Sequence, residues 1–491
     1  MALNATPGFD LQPSAERVVT SGNYITNFDF LNQYLPDTYE KEFERYGNRS
    51  ISSFLRMVGA EMPTNSDLLK WAEQGRLHIK YEFCVTTDAA ASDTAEWEVK
   101  DALVPVIPGQ GTTTGGDGSI AIRVGQTVMI SDNSAGSSFS NKAVVTAVDY
   151  PNKKFSVAYY EGGGQTMAAN GGAGSKATAC SVFIYGSEFM KGTEGMENSL
   201  ESDDFIFENK PIIIKDTYKV SGSDMAQIGW IEITSEDGAN GYLWYLKSES
   251  DTRLRFEDYL ETAMVEAVPA EQNSGAAASL TNPNRAAQAN PGAGSQGLFY
   301  VVEQRGNVYD GIPGDKGEFE TIVQRLDKQG AIEENVIFLN RSFSFAIDDF
   351  LAAQNSYGAG GTSYGLFDND EEMALNLGFV GFRLGYDFYK SDWKYLNDPT
   401  MRGDLVGGKI NGILVPAGST TVYDQILGKN AKRPFLHVRY RASESEDRRY
   451  KTWITGSAGG ARTSSLDAMQ VNFLSERSLC TLGANNFVLF N

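Results

Sequence analysis

One run in this chain proceeds almost without interruption. Residues 240–268 (NGYLWYLKSESDTRLRFEDYLETAMVEAV) contain no proline and no glycine beyond Gly241. Tyr242, Leu243 and Leu246, then Phe256, Leu260, Met264 and Val268, recur at intervals of three and four, as one packed face of an α-helix requires. At ~1.5 Å per residue such a helix spans roughly 40 Å, more than a compact domain needs. A single beam of that length implies a part that braces an extended subunit. Its middle, residues 247–253, is wholly polar and reads as solvated or laid against another polar surface.

Elsewhere the pattern is of short strands and Gly-rich turns. Residues 1–35 carry Phe9, Tyr24, Phe28, Phe30 and Tyr34 with neither helical nor strand periodicity, so they cannot form a core of their own. Asp37 with Glu40 makes a capping-box pattern that opens a short helix to about Tyr46. A second short helix, LLKWAEQ, is expected from Asn65 or Ser66 to Gly75. From Leu77 the period becomes two. HIKYEFCV reads as a strand whose return strands lie at 211–215 and 219–233, forming the arms of a long hairpin. Between them, residues 118–160 show short alternating strands (120–124, 127–130, 143–148, 155–159) with turns at 132–138 and 151–154, the spacing of a small antiparallel barrel. Flexible tracts at 108–118 and 162–175 flank it. Residues 269–296, poor in large apolar side chains, read as a mobile connection.

The next block is α/β. Phe319, Ile322, Val323 and Leu326 line a helix closed by Gly330; residues 335–339 form a buried strand; a helix over 342–353 turns Phe343, Ala346, Ile347, Phe350 and Leu351 inward. Strands follow at 379–384, 409–415 and 434–441, with 470–474 and 487–490 closing the chain.

The chain has 491 residues, enough for about two to four domains. With 63 acidic against 42 basic side chains its net charge is −21, which disfavours broad contact with nucleic-acid phosphates. The nearest thing to a basic stripe, Arg439, Arg441, Arg448, Arg449 and Lys451, is interrupted by Glu444, Glu446 and Asp447. No secretory signal and no membrane-spanning run is visible, and Cys84, Cys180 and Cys480 are expected as buried, reduced thiols. The expected compartment is cytoplasm, where the sequons at Asn4, Asn48 and Asn340 signify only surface polarity.

Chemistry-bearing patterns are few. His78 and His437 each fall in an expected strand and read as ordinary structural histidines, and no Gly-x-Ser-x-Gly elbow is present. Scattered cysteines and histidines lack zinc-site spacing. Gly403 with Gly408 and Lys409 keeps P-loop glycine spacing, but Ile410 stands where Ser or Thr should bind Mg²⁺. The glycines of 358–365 have no strand leading into them and no helix beginning on them; the acids of 368–372 lack the Gly and Glu of an EF-hand and suit a helix start. Arg402-Gly-Asp404 copies an adhesion tripeptide by chance. No catalytic, cofactor-binding or metal-binding residue is assigned, no cofactor is expected, and the chain reads as a contact protein rather than an enzyme.

The order of parts resembles that of the major capsid proteins of tailed bacteriophages, with the Hong Kong 97 (HK97-like) fold: arm, extended hairpin, single spine helix, α/β domain, closing strands. The helix, strand ending Ile337-Phe-Leu-Asn340, and helix of 318–353 are similar to the central segment of that family's axial domain. YKVSGSDMAQIGWIEI (218–233) is similar to its return from the extended loop. Within the family the chain looks closest to the capsid proteins of crAss-like phages. The resemblance implies an α+β chain with an arm and short helices (1–76), an extended loop (77–235) holding an inserted β module at about 94–185, a spine and linker (236–299), an axial domain (300–425) and closing strands (426–491). It also implies self-assembly into hexamers and pentamers of an icosahedral shell around double-stranded DNA. The partners would be portal, scaffolding and auxiliary or head-fibre proteins, with no membrane; assembly would occur in the bacterial host cytoplasm. The Lys–Asn cross-link of some members maps onto no residues here. The alternative is a multi-domain surface or adhesive protein that recognises a ligand through the inserted module.

Overall fold

The computed structural model describes residues 54–55, 60–75, 78–86, 93–100, 120–132, 140–161, 176–197, 204–226, 233–234, 240–241, 244–271, 274–280, 293–330, 332–355, 381–424, 429–460 and 462–491. The segment 1–35, the short helix expected from Asp37, the tracts at 108–118 and 162–175, and the runs 358–365 and 368–372 lie outside them. The chain divides into two compact units, Ala72–Ile206 and the flanking Met1–Trp71 with Phe207–Asn491.

The smaller unit is a closed antiparallel barrel. Its staves run in the order Lys80–Thr86, Thr94–Val99, Lys154–Tyr159, Ser140–Asp149, Gln126–Asp132 and Lys176–Ser187. Alternation does the work expected of it: Val128 and Ile130, Ala143 and Val145, Phe155 and Val157 all point inward around the buried Trp97. Two expectations change. Residues 120–124 form no strand, although Ile120 and Ile122 still enter the core and the Ala121 amide donates to the Tyr81 hydroxyl at 2.7 Å. HIKYEFCV is a barrel stave rather than a hairpin arm, since it pairs with Thr94–Val99 and Lys176–Ser187. Its proposed partner belongs elsewhere: Ile212–Ser221 is one strand that pairs along its length with Ala468–Thr481, and Gly222–Ala226 is helical. Among the described residues, HIKYEFCV and the strand within 211–233 therefore do not pair as arms of one hairpin. A period of two names a strand and its faces but not its neighbour.

LLKWAEQ is a strand as well. Leu69–Gln74 pairs with Asp204–Asn209, and its side chains alternate in burial. Ser66, expected to open a helix, closes a turn on the backbone of Leu68 instead. Trp71 faces Phe207 at 6.4 Å, and the Arg305 guanidinium lies 3.9 Å from the Phe207 ring centroid. That packing outweighs a weak local helix preference.

The larger unit contains two principal sheets. The first runs Asn307–Tyr309, Val488–Phe490, Gly412–Pro416, Glu334–Leu339, Tyr386–Asp392 and Gly381–Leu384. Both faces are covered. Ile337, Leu339, Leu414, Val488 and Phe490 meet Phe319, Ile322 and Leu326 of the helix Lys316–Asp327, and Phe343 and Ile347 of Arg341–Asn355. The intervening Phe338, Ile413, Val415 and Leu489 meet Phe54, Phe299 and Trp393 on the other side. Phe54 stacks on Trp393 at 4.4 Å, and its amide donates to Glu261 at 3.0 Å. The helix Lys316–Asp327 ends at the C-cap Lys328, and Gly330, at φ +74°, lies two residues beyond it in the following turn.

The second sheet sets Ala468–Thr481 between Leu436–Arg441 and Lys451–Gly456 on one edge and Ile212–Ser221 on the other, with Ala60–Thr64 parallel to Leu436–Arg441. The spine helix, Trp244–Glu266, serves both sheets. Phe256 and Leu260 pack on Tyr218, Val220, Val471 and Phe473, while Met264 and Val265 enter the core shared with Trp393. Val268, placed inward by periodicity, is exposed past the helix end. In the polar middle Thr252 is buried and returns its hydroxyl to the Ser248 carbonyl at 2.9 Å.

The expected mobile connection is partly built in. Gly275–Ser279 is a short helix capped by Ser274, and Ala293 and Ser295 are buried. The Gly297 amide donates to Ala267 at 2.8 Å. Asn209, also buried, donates to the Gln296 and Leu479 carbonyls and accepts from Ser295 Oγ and the Gln296 amide. A buried amide with every position bonded holds a poorly apolar segment in place.

Candidate functional site

Among the described residues, one surface feature in each unit is suited to contact. In the larger unit it is the strand Lys451–Gly456, bonded to Ala468–Thr481 on one side and, among the described residues, to no strand on the other. An antiparallel strand at a sheet edge leaves alternate N–H and C=O groups facing outward. Adjacent residues point to opposite faces, yet Trp453 and Ile454 are both exposed, at 38% and 43%. Gly456 ends the strand: at φ +127°, a Cβ there would stand 1.9 Å from the Ala468 carbonyl oxygen. Lys451 pairs with Glu446. An edge with apolar side chains on both faces and free backbone groups between them can receive another strand.

In the smaller unit a cavity of about 650 Å³ opens on the outer face of the barrel over Gln126–Asp132, flanked by Ser140–Asp149 and Lys176–Ser187. Tyr160 and Tyr185 form its walls, 49% and 47% exposed. The Lys142 ammonium lies 5.7 Å from the Tyr185 ring centroid. The Tyr160 hydroxyl donates to Glu188 Oε2 at 2.5 Å; burial first, then that carboxylate, pushes the phenol up to about 12, so it stays protonated. Glu161 joins Glu188 in the lining. Thr127 and Asn141, 5% and 3% exposed, also line the cavity, and Thr127 Oγ1 and Asn141 Nδ2 have no hydrogen-bond partner among the described residues. The loop beneath is shaped by Gly125, at φ +85°, where a Cβ would come within 2.5 Å of the Phe189 ring.

The residues singled out by sequence have local duties. His78 lies on the surface. His437 is buried, with Nδ1 3.1 Å from the Pro434 carbonyl; burial, reinforced by Arg439, lowers it to about 4, so the imidazole is neutral. Cys84 and Cys180 are both buried free thiols, and the barrel makes them register partners on neighbouring staves, a proximity their sequence separation hides. Cys480 is buried opposite His437, and burial raises it to about 11. Arg402 of the adhesion-like tripeptide forms a bidentate pair with Glu266 at the end of the spine helix and donates to the Gly408 carbonyl at 2.7 Å. The same Glu266 accepts from Tyr395 at 2.5 Å. Arg402-Gly-Asp404 and the Gly403/Gly408 spacing thus belong to one structural turn. Asn340, read as surface polarity, is buried and caps the helix Arg341–Asn355 by accepting from the Phe343 amide at 2.7 Å. The basic cluster is paired: Arg441 with Asp67 and Glu476, Arg448 with Glu476, Arg449 and Arg477 with Glu61. Among the described residues, no group of three or more His, Cys, Asp or Glu side chains is placed to share a metal ion, and no helix is long and apolar enough to cross a membrane.

No protein-family model and no curated protein matches the chain. Among solved structures it is similar to one from Microbacterium phage Oxtober96, with 8% identity and a TM-score of 0.36 over 94% of this chain and 97% of that one. It is also similar to the capsid structure of the cyanophage P-SCSP1u, with 8% identity and a TM-score of 0.31 over 80% and 93%. A structure from Mycobacterium phage Che8 overlaps 60% of this chain and 76% of its own, with 12% identity and a TM-score of 0.32. Overlaps this shallow carry no argument about what the present chain does.

Proposed function

We propose that this chain is a structural subunit of a bacteriophage capsid, completed by copies of itself. The observation that carries the reading is the open strand Lys451–Gly456, with Trp453 and Ile454 exposed on its two faces. Left bare on a monomer, such an edge invites uncontrolled pairing; in an assembly it is a joint. The spine helix supports the reading too, because it ties both sheets of the larger unit into one stiff body suited to carrying load between contacts. In this proposal the fold is HK97-like with a barrel inserted, the relationship to crAss-like phage capsid proteins holds, and residues 1–35 lie across a neighbour. Residues 300–425 form the axial part. Hexamers and pentamers close by repeated heterologous contacts into a shell around double-stranded DNA, with portal, scaffolding and auxiliary or head-fibre proteins as partners. Individual contacts need only be weak, since multivalency compounds them. The site of action is the virion, assembled in the bacterial cytoplasm.

Sedimentation velocity and electron microscopy of the full chain test this. Assembly is expected, together with its loss in Trp453→Lys/Ile454→Lys while the circular dichroism of the monomer stays unchanged. A wild type that remains monomeric at high concentration across salt and crowding conditions, or a double variant that assembles like it, overturns the proposal. The alternative reading, a surface-binding protein, is favoured by one observation, the tyrosine-walled cavity of the barrel.

A further inference from the structure

We propose that the cavity on the outer face of the barrel binds neutral hexopyranose units of a glycan. Tyr160 and Tyr185 supply the stacking walls, and Glu161, Glu188 and Lys142 engage hydroxyl groups. The volume, about 650 Å³, falls within the ~300–1,000 Å³ usual for small-ligand sites and has room for a short oligomer rather than a single ring.

The chemistry narrows the ligand. A pyranose ring offers C–H bonds on its faces and hydroxyl groups on its rim. Tyrosine rings suit the first, because the negative ring face attracts the weakly positive C–H groups. Carboxylates accept from the second, and an ammonium donates to them. The Glu188 carboxylate is already oriented by the Tyr160 hydroxyl, and Lys142 is held over Tyr185, so neither must be ordered when the ligand arrives. The lining has two carboxylates and one ammonium, a balance that repels phosphates and acidic sugars.

Thr127 and Asn141 close the floor of the cavity, their side-chain polar atoms sealed beneath its surface. Gly186 keeps the wall above Thr127 bare: a Cβ there would stand 3.2 Å from Thr127 Oγ1. The barrel core beneath, with Trp97, Ile130 and Val182 fully buried, makes the platform rigid. This inference does not rest on the shell reading, since binding is measurable on unassembled chain.

The test is isothermal titration calorimetry of the full chain with maltohexaose, laminarihexaose, mannohexaose and chitohexaose, each taken to about 10 mM. Saturable binding of at least one is expected. It should weaken about tenfold or more in Tyr185→Ala and in the isosteric Glu188→Gln, and persist in Tyr389→Ala, an exposed tyrosine of the larger unit. Glu188→Gln guards against a folding defect in the alanine variant. Absence of saturable binding by every one of these oligomers overturns the proposal, as does binding that survives both cavity variants. So does preferential binding of an oligogalacturonate or a proline-rich peptide, which would place a different ligand class in the cavity.

Discussion

His437 makes the stability of the second sheet depend on pH in a calculable way. It sits in Leu436–Arg441, opposite Ala60 on one side and Cys480 on the other. A carbonyl oxygen only accepts, so the 3.1 Å contact with Pro434 assigns the ring proton to Nδ1. A second proton would bring a buried charge near Arg439 and Arg433, and the group falls from 6.5 to about 4. The sign follows from linkage. As pH drops below 6.5 the unfolded chain takes the proton first, because the folded site still refuses it. The stabilisation is therefore complete above 6.5, is lost progressively down to about 4, and changes no further below that. Across that window the loss is about 3 kcal/mol at ~1.4 kcal/mol per decade.

His437→Gln retains a hydrogen-bond donor and does not titrate. Wild type and variant should be compared by urea unfolding between pH 7 and 4, read by hydrogen exchange in the peptide covering Leu436–Arg441. Carboxylate titration affects both chains alike and cancels in the difference. The wild type should lose about 3 kcal/mol more than the variant over this range. Parallel curves, within about 0.5 kcal/mol, would refute the argument by showing that the folded site accepts the proton freely.

Three further outcomes are expected. Trp97→Ala should remove about 3–5 kcal/mol from the barrel, because its side chain is fully buried at the centre of that core; calorimetry should show one transition lowered, and a shift of less than about 1 kcal/mol would contradict the packing. Arg402→Ala should cost about 1–3 kcal/mol in the larger unit by leaving Glu266 without its bidentate partner, and Glu266→Gln/Arg402→Met should recover part of that loss in a double-mutant cycle. Thiol titration should find no reactive cysteine in the native chain and all three after unfolding without reductant; only one on unfolding would reveal a bond between Cys84 and Cys180.

Much of the fold was legible from residue spacing. Phe319, Ile322 and Leu326 announced a helix and its buried face, whereas its end came at Lys328, before the expected Gly330. The strand within 335–339 and the alternating runs at 127–130, 143–148 and 155–159 reappear with longer boundaries. The errors share a cause. LLKWAEQ became a strand because Trp71 found Phe207 and Arg305, which are distant in sequence. Arg402 looked like part of an exposed tripeptide because Glu266, its partner, lies on another element. The cavity was not foreseen for the same reason. Tyr160, Tyr185 and Lys142 come from separate segments and carry no motif.

What the sequence determined by itself was the kind of each element and the side it would bury, because periodicity is local and a run of four to ten residues already expresses it. Only the tertiary structure decided which strand stands beside which. HIKYEFCV has the same alternation whether it reaches out as an arm or closes a barrel, and Ile212–Ser221 the same whether it returns to HIKYEFCV or lies along Ala468–Thr481. Pairing is settled by the combined burial of many distant side chains, a sum that no single stretch of sequence contains.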